Sequence, residues 1–126
     1  QYTLLCAPIC AQMAAMEAIK NGGADVQAMK KEYDRRRRFI VGALNEMGMR
    51  CHMPEGAFYA FPSIKVSGES SIDFARNLLM KEKVALVPGV AFGASCGAHV
   101  RISYASSYDN LKEAVVRIGR YLKRKG

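Results

Sequence analysis

Between Val100 and Tyr104 the sequence sets Arg101 and Ser103 among the apolar residues Val100, Ile102 and Tyr104. Alternate side chains of a strand point to opposite faces, so the apolar three would share one face and Arg101 and Ser103 the other. A planar, permanently charged guanidinium binds a carboxylate through two parallel hydrogen bonds, and a strand holds it more rigidly than a loop would. The same spacing also fits an arginine on a solvated sheet face or in a structural ion pair. A second alternating run, Ala57 to Phe61, puts Ala57, Tyr59 and Phe61 on one face and Phe58 and Ala60 on the other. Cys6 with Cys10, Cys51 beside His52, and Cys96 with His99 could be imagined as a zinc set. Adjacent strand residues such as Cys51 and His52 diverge, however, so small buried thiols are expected instead and no metal.

These residues need elements to hold them. Gln12 to Lys20 is rich in helix formers and apolar nearly all round, with Asn21-Gly22-Gly23 as a stop. A helix of that kind expects neighbours on several sides. Asp25 is the expected cap of a longer helix reaching about Gly48, in which Val26, Met29, Tyr33, Ile40, Leu44 and Met47 form an apolar stripe. Arg36 and Arg37 flank that stripe while Arg35 and Arg38 lie opposite, which reads as a solvated helix surface with two snorkelling stems. Met49–Met53 and Ala57–Phe61 are predicted as two strands about the turn Pro54-Glu55-Gly56. Ser70, with Asp73 three residues on, opens a third helix. Val84–Val87 and Val100–Tyr104 are predicted strands, and a last helix starts near Ser107. The order, lacking a repeating βαβ rhythm, predicts an α+β fold with a small, mostly antiparallel sheet packed with helices.

With 126 residues, half of them apolar, the chain can build one compact core. No apolar run approaches the roughly 18 residues needed to cross a bilayer, so no membrane partner is expected. Nineteen Lys and Arg against eleven Asp and Glu give a formal charge of +8, which favours anionic partners without selecting one. Four cysteines and seven methionines, with no secretory signal in view, suggest a reducing cytoplasm. The chain begins at Gln1 rather than Met, as a processed product or a piece of something longer would. A small basic nucleic-acid-binding module is the competing reading, but its arginines are spread around a helix without a helix-turn-helix, zinc-finger or stacking-aromatic motif.

The segments Val87-Pro88-Gly89-Val90-Ala91-Phe92-Gly93 and His99-Val100-Arg101-Ile102-Ser103-Tyr104-Ala105 resemble the C-terminal part of class I/II (fold type I) pyridoxal-phosphate-dependent aminotransferases. Pro54 to Pro62 resembles the hairpin before it, Tyr33 to Met49 the long helix linking the family's two domains, and Ala11 to Ala15 the helix after the catalytic core. The similarity covers nearly all of the chain in the right order. It implies that residues 1–24 are a helix adjoining an absent large domain and that residues 25–126 are the family's small domain. It further implies that Arg101 binds the substrate α-carboxylate and that Phe58 and Tyr59 approach the substrate. Amino acids and keto acids would be the substrates of a homodimeric parent.

The family's Schiff-base lysine lies in a Ser/Thr-x-x-Lys segment that this chain lacks. By the resemblance, pyridoxal phosphate therefore belongs to the full-length parent. The chain alone is expected to hold no cofactor, to contain no catalytic residue and to be inactive. A carbon–sulfur lyase, or the aminotransferase-like effector domain of a transcription regulator, would carry the same motifs. Cut from its neighbours, the apolar first helix is expected to leave an exposed patch and to promote self-association.

Overall fold

A computed structural model describes residues 6–124, so Gln1 and Lys125 lie outside the described part. The chain divides into two compact units, one reaching to Glu32 and the other beginning at Tyr33. The first contains helix α1 (Ile9–Asn21) and the opening turns of α2 (Gly23–Glu46). Only Gly22 separates the helices: its N–H donates to the Ala18 carbonyl at 2.9 Å, and its own carbonyl accepts from Val26 at 3.1 Å. Asp25 is therefore not the cap of α2. It sits inside the first turn, where its charge faces the positive end of the helix dipole. No residue of α1 is buried, and Ile9, Met13, Met16 and Ile19 are all exposed.

The second unit holds the core. Ile40, Val41 and Leu44 from α2 are buried with Phe74 and Leu78 of α3 (Ser71–Glu82) and with Leu111, Ile118 and Tyr121 of α4 (Tyr108–Lys123). The predicted stripe of α2 is thus buried in its C-terminal half, while Val26 and Met29 are exposed. Ser70 caps α3, its hydroxyl accepting from the Asp73 N–H at 3.2 Å, and Ser107 caps α4 by accepting from Asn110 at 3.3 Å. Both caps stand where the sequence pattern puts them.

Three strands form an antiparallel sheet in the order β1 (Tyr59–Ala60), β3 (Val100–Ser103), β2 (Val87–Pro88). Tyr59 faces Ser103 and Ala60 faces Ile102, while Val87 faces Arg101. The sheet is smaller than its alternating sequence suggests. Met49–Met53 forms no strand: the Ser63 N–H donates to the Arg50 carbonyl at 2.8 Å, but at Cys51 the Asn45 side chain takes the place of a neighbouring strand. Its Oδ1 accepts from the Cys51 N–H at 3.0 Å, and its Nδ2 donates to the Cys51 carbonyl at 3.1 Å. An amide side chain offers the same donor and acceptor that a neighbouring strand would. Of Val84–Val87 only Val87 enters the ladder; Val84, Ala85 and Leu86 instead line a groove of about 360 Å³ with Ile102, Leu111 and Ile118.

The arginine run is less solvated than its helical wheel implies. The Arg36 guanidinium donates to the carbonyls of Ala105 and Ser106 at 3.2 and 2.8 Å, and Arg37 donates to the Pro54 carbonyl at 2.6 Å. Arg35 lies over the Tyr108 ring, 3.9 Å from its centroid. These contacts fasten α2 to the loops on either side of the aromatic hairpin and the arginine strand.

No helix among the described residues is long and apolar enough to cross a membrane. Among those residues no group of three His, Cys, Asp or Glu could hold a metal ion, and the four cysteines are free. Cys6 and Cys10 are exposed rather than buried, Cys10 because α1 buries none of its faces and Cys6 in the segment just before that helix.

Candidate functional site

Strand β3 delivers Arg101 as its alternation requires. Val100 and Tyr104 are buried and Ile102 is partly so, which turns Arg101 and Ser103 to the opposite face. Tyr59 stands opposite Ser103, so its ring is the diagonal neighbour of Arg101 on that face. The guanidinium carbon lies over the Tyr59 ring at 4.4 Å from its centroid.

A second ring completes the clasp. After β2 the chain makes a tight single-turn helix, Gly89–Phe92, which brings the Phe92 ring to 4.9 Å from the same guanidinium carbon. That turn depends on Gly89. Its N–H donates to the His99 carbonyl at 2.9 Å, and a Cβ there would collide with the carbonyl oxygens of Cys96 and His99. Behind Phe92 stands Phe61, edge-on at 5.8 Å, and behind Phe61 the His99 ring is stacked at 5.4 Å. Arg101 has no carboxylate partner among the described residues; its cationic group is held only by two ring faces.

Phe58 reaches the site differently from the simple alternation. Strict strand geometry would send Phe58 and Tyr59 to opposite faces, yet their ring centroids are 4.6 Å apart. Phe58 precedes the strand and follows Ala57, whose φ is +57°, so the backbone turns before alternation begins. The Phe58 ring also stacks on Tyr33 at 6.0 Å. Tyr104 pins this turn from within the core, its hydroxyl donating to the Ala57 carbonyl at 3.0 Å and its N–H to the Phe58 carbonyl at 2.9 Å. Burial raises the Tyr104 phenol above its ordinary pKa, which keeps the hydroxyl a donor.

Of the three residues singled out in the sequence, Arg101 and Tyr59 meet directly, and Phe58 joins them through its contact with Tyr59. The structure adds Phe92, which lies outside the predicted strands. The signal for Phe92 was spatial: β2 pairs with the arginine strand, and the turn Gly89–Phe92 that follows brings the ring back to Arg101.

The residues present do not fit pyridoxal phosphate by themselves. Every described lysine is exposed, and Arg101 lines neither of the grooves that include Lys83 or Lys65.

The family model for aminotransferase class I and II matches residues 2–118. The chain is 56% identical over 124 residues to the Bacillus subtilis (strain 168) protein called "Putative aminotransferase YugH", and 44% identical over 126 residues to an aspartate aminotransferase of Pyrococcus abyssi. In each case 98% of the chain is matched against 32% of the relative, so the chain spans about a third of the length of these curated proteins. Among solved structures, Pyrococcus protein-A1 superposes with a TM-score of 0.92 at 44% identity, covering 98% of this chain and 32% of that one. An aromatic aminotransferase from Pyrococcus horikoshii OT3 superposes with a TM-score of 0.85 at 46% identity, covering 90% and 31%.

Proposed function

The chain belongs to the class I and II aminotransferases, and from that premise we propose that it is the C-terminal, carboxylate-recognising part of an enzyme that exchanges amino groups between amino acids and keto acids. The observation that carries this reading is Arg101, a rigidly based guanidinium with aromatic walls and no carboxylate partner among the described residues. An arginine that serves the fold is ordinarily paired, as Arg37 is with Asp34. Arg101 instead keeps its hydrogen-bonding edge for a ligand, and a substrate α-carboxylate matches it in charge and planarity.

In this reading Arg101 binds the carboxylate by two parallel hydrogen bonds and fixes the orientation of the substrate's Cα. That is a positioning contribution to catalysis. Phe58 and Tyr59 form the apolar wall beside the carboxylate, excluding water from the ion pair and strengthening it. Pyridoxal phosphate, held by the remainder of the polypeptide, supplies the electron sink for amino-group transfer. The complete enzyme is a cytoplasmic homodimer, and the 126 residues alone lack transaminase activity.

The test is Arg101→Ala in the full-length polypeptide. Loss of a doubly hydrogen-bonded ion pair of about 3 kcal/mol predicts a kcat/KM for amino acids lowered about 100-fold or more. A value within a few-fold of the unaltered enzyme removes Arg101 from the substrate site.

A further inference from the structure

Phe92 is tied to the sheet by a short and heavily constrained path. Val87 pairs with Arg101 itself, Pro88 pairs with Val100, and Gly89 closes onto the His99 carbonyl before the turn that carries Phe92. The position of the Phe92 ring is therefore set by the same strand that bears the arginine. Its ring and that of Tyr59 both approach the guanidinium carbon, at 4.9 and 4.4 Å. Phe92 is nonetheless 48% exposed, so core burial is not what fixes a phenylalanine at this point.

We propose that Phe92 is a positioning residue of the substrate site. Together with Tyr59 it clasps the Arg101 guanidinium in the orientation that meets the incoming carboxylate. The inference rests on the carboxylate-binding reading of Arg101 and extends it to a residue outside the arginine strand and the aromatic hairpin.

The physical argument concerns freedom of the side chain. An arginine has four rotatable side-chain bonds, and one without an ion pair would ordinarily sample many rotamers. Ring faces restrain a guanidinium by cation–π attraction without consuming its N–H donors, which lie in its plane and stay available at the edge. A carboxylate side chain in the place of Phe92 would hold Arg101 equally still but would compete with the ligand. Phe61, set edge-on against Phe92 and stacked on His99, further restrains the Phe92 ring.

The experiment uses the full-length polypeptide and reads binding of propanoate, an unreactive short carboxylate, with propanamide as its uncharged control. It is done for the unaltered protein, Phe92→Leu, Phe92→Tyr and Arg101→Ala, alongside kcat and KM for an amino acid. Phe92→Leu keeps the apolar volume but removes the ring face. It is expected to weaken propanoate binding about 3- to 30-fold, following the range of cation–π attraction, and to raise KM more than it lowers kcat. Propanamide binding should not change, and Phe92→Tyr should restore propanoate binding to within about twofold, since it keeps the π face. Unchanged propanoate binding in Phe92→Leu, with binding lost in Arg101→Ala, would overturn the role of Phe92 while leaving Arg101 in place. Unchanged propanoate binding in Arg101→Ala would overturn the carboxylate-binding reading itself. Equal weakening of propanoate and propanamide in Phe92→Leu would show a collapsed wall rather than a misdirected guanidinium, and would also overturn the proposal.

Discussion

Two kinds of arginine occur within one small fold, distinguished by their partners. Arg37 and Arg38 share Asp34, whose carboxyl is held below its ordinary pKa first by the hydrogen bond from Arg38 and then by that from Arg37. Among the described residues Arg101 has only rings as partners. The Asp34 cluster makes a pH prediction. A folded-state pKa below the unfolded one contributes stability that is present above the ordinary value of 3.8 and disappears as pH falls through the lowered one. Thermal unfolding of the chain should therefore show a loss of stability below about pH 4 that is shallower in Asp34→Asn. Identical acid slopes in the two proteins would contradict it. The alternation around Arg101 made its strand face legible in the sequence, since it needs only a period of two. Phe92 was not legible, because it lies in a turn and meets Arg101 only through strand pairing. The contact between Phe58 and Tyr59 was hidden for a related reason: the left-handed φ at Ala57 breaks the alternation that would have separated them.

The elements were read best where local chemistry decides them. Ser70 and Ser107 cap helices because a hydroxyl acceptor is needed at those turns, and nothing distant competes. Strands were over-read where distant partners decide. Met49–Met53 has a strand-like sequence but meets the Asn45 amide at Cys51, and Val84–Leu86 is a continuous apolar run yet finds no ladder among the described residues. The tight passage from β2 to Phe92 is the element most sensitive to substitution. Gly89→Ala would drive a methyl group into two backbone carbonyls, which cannot swing aside as side chains do. It is expected to destabilise the protein by about 1–3 kcal/mol in denaturant unfolding. The shift should also be felt at Arg101, through the pairing of Val87. A midpoint equal to that of the unaltered chain would show that the turn has room that the structure does not.

At the scale of the whole molecule, the sequence carries a fold it can complete and a site it can only begin. The core of the second unit is closed by three helices and the sheet, whereas α1 buries nothing and leaves Ile9, Met13, Met16 and Ile19 exposed. Exposed apolar side chains gathered on one short helix are a liability in water and favour association. The isolated chain should consequently self-associate, with an apparent mass by light scattering that rises with concentration; a constant monomer mass would count against this. The relatives are about three times as long, so the remainder of such a polypeptide is where the proposed reading puts the cofactor-holding residues. The central claim is that Arg101 reads the substrate carboxylate. Its most direct measurement compares kcat/KM for an amino acid with that for the corresponding amine lacking the carboxylate, in the full-length enzyme and in Arg101→Ala. The account predicts strong preference for the amino acid in the unaltered enzyme and a preference reduced about 100-fold in the variant, with the amine reaction nearly unchanged. A preference that survives the loss of Arg101 intact would contradict it.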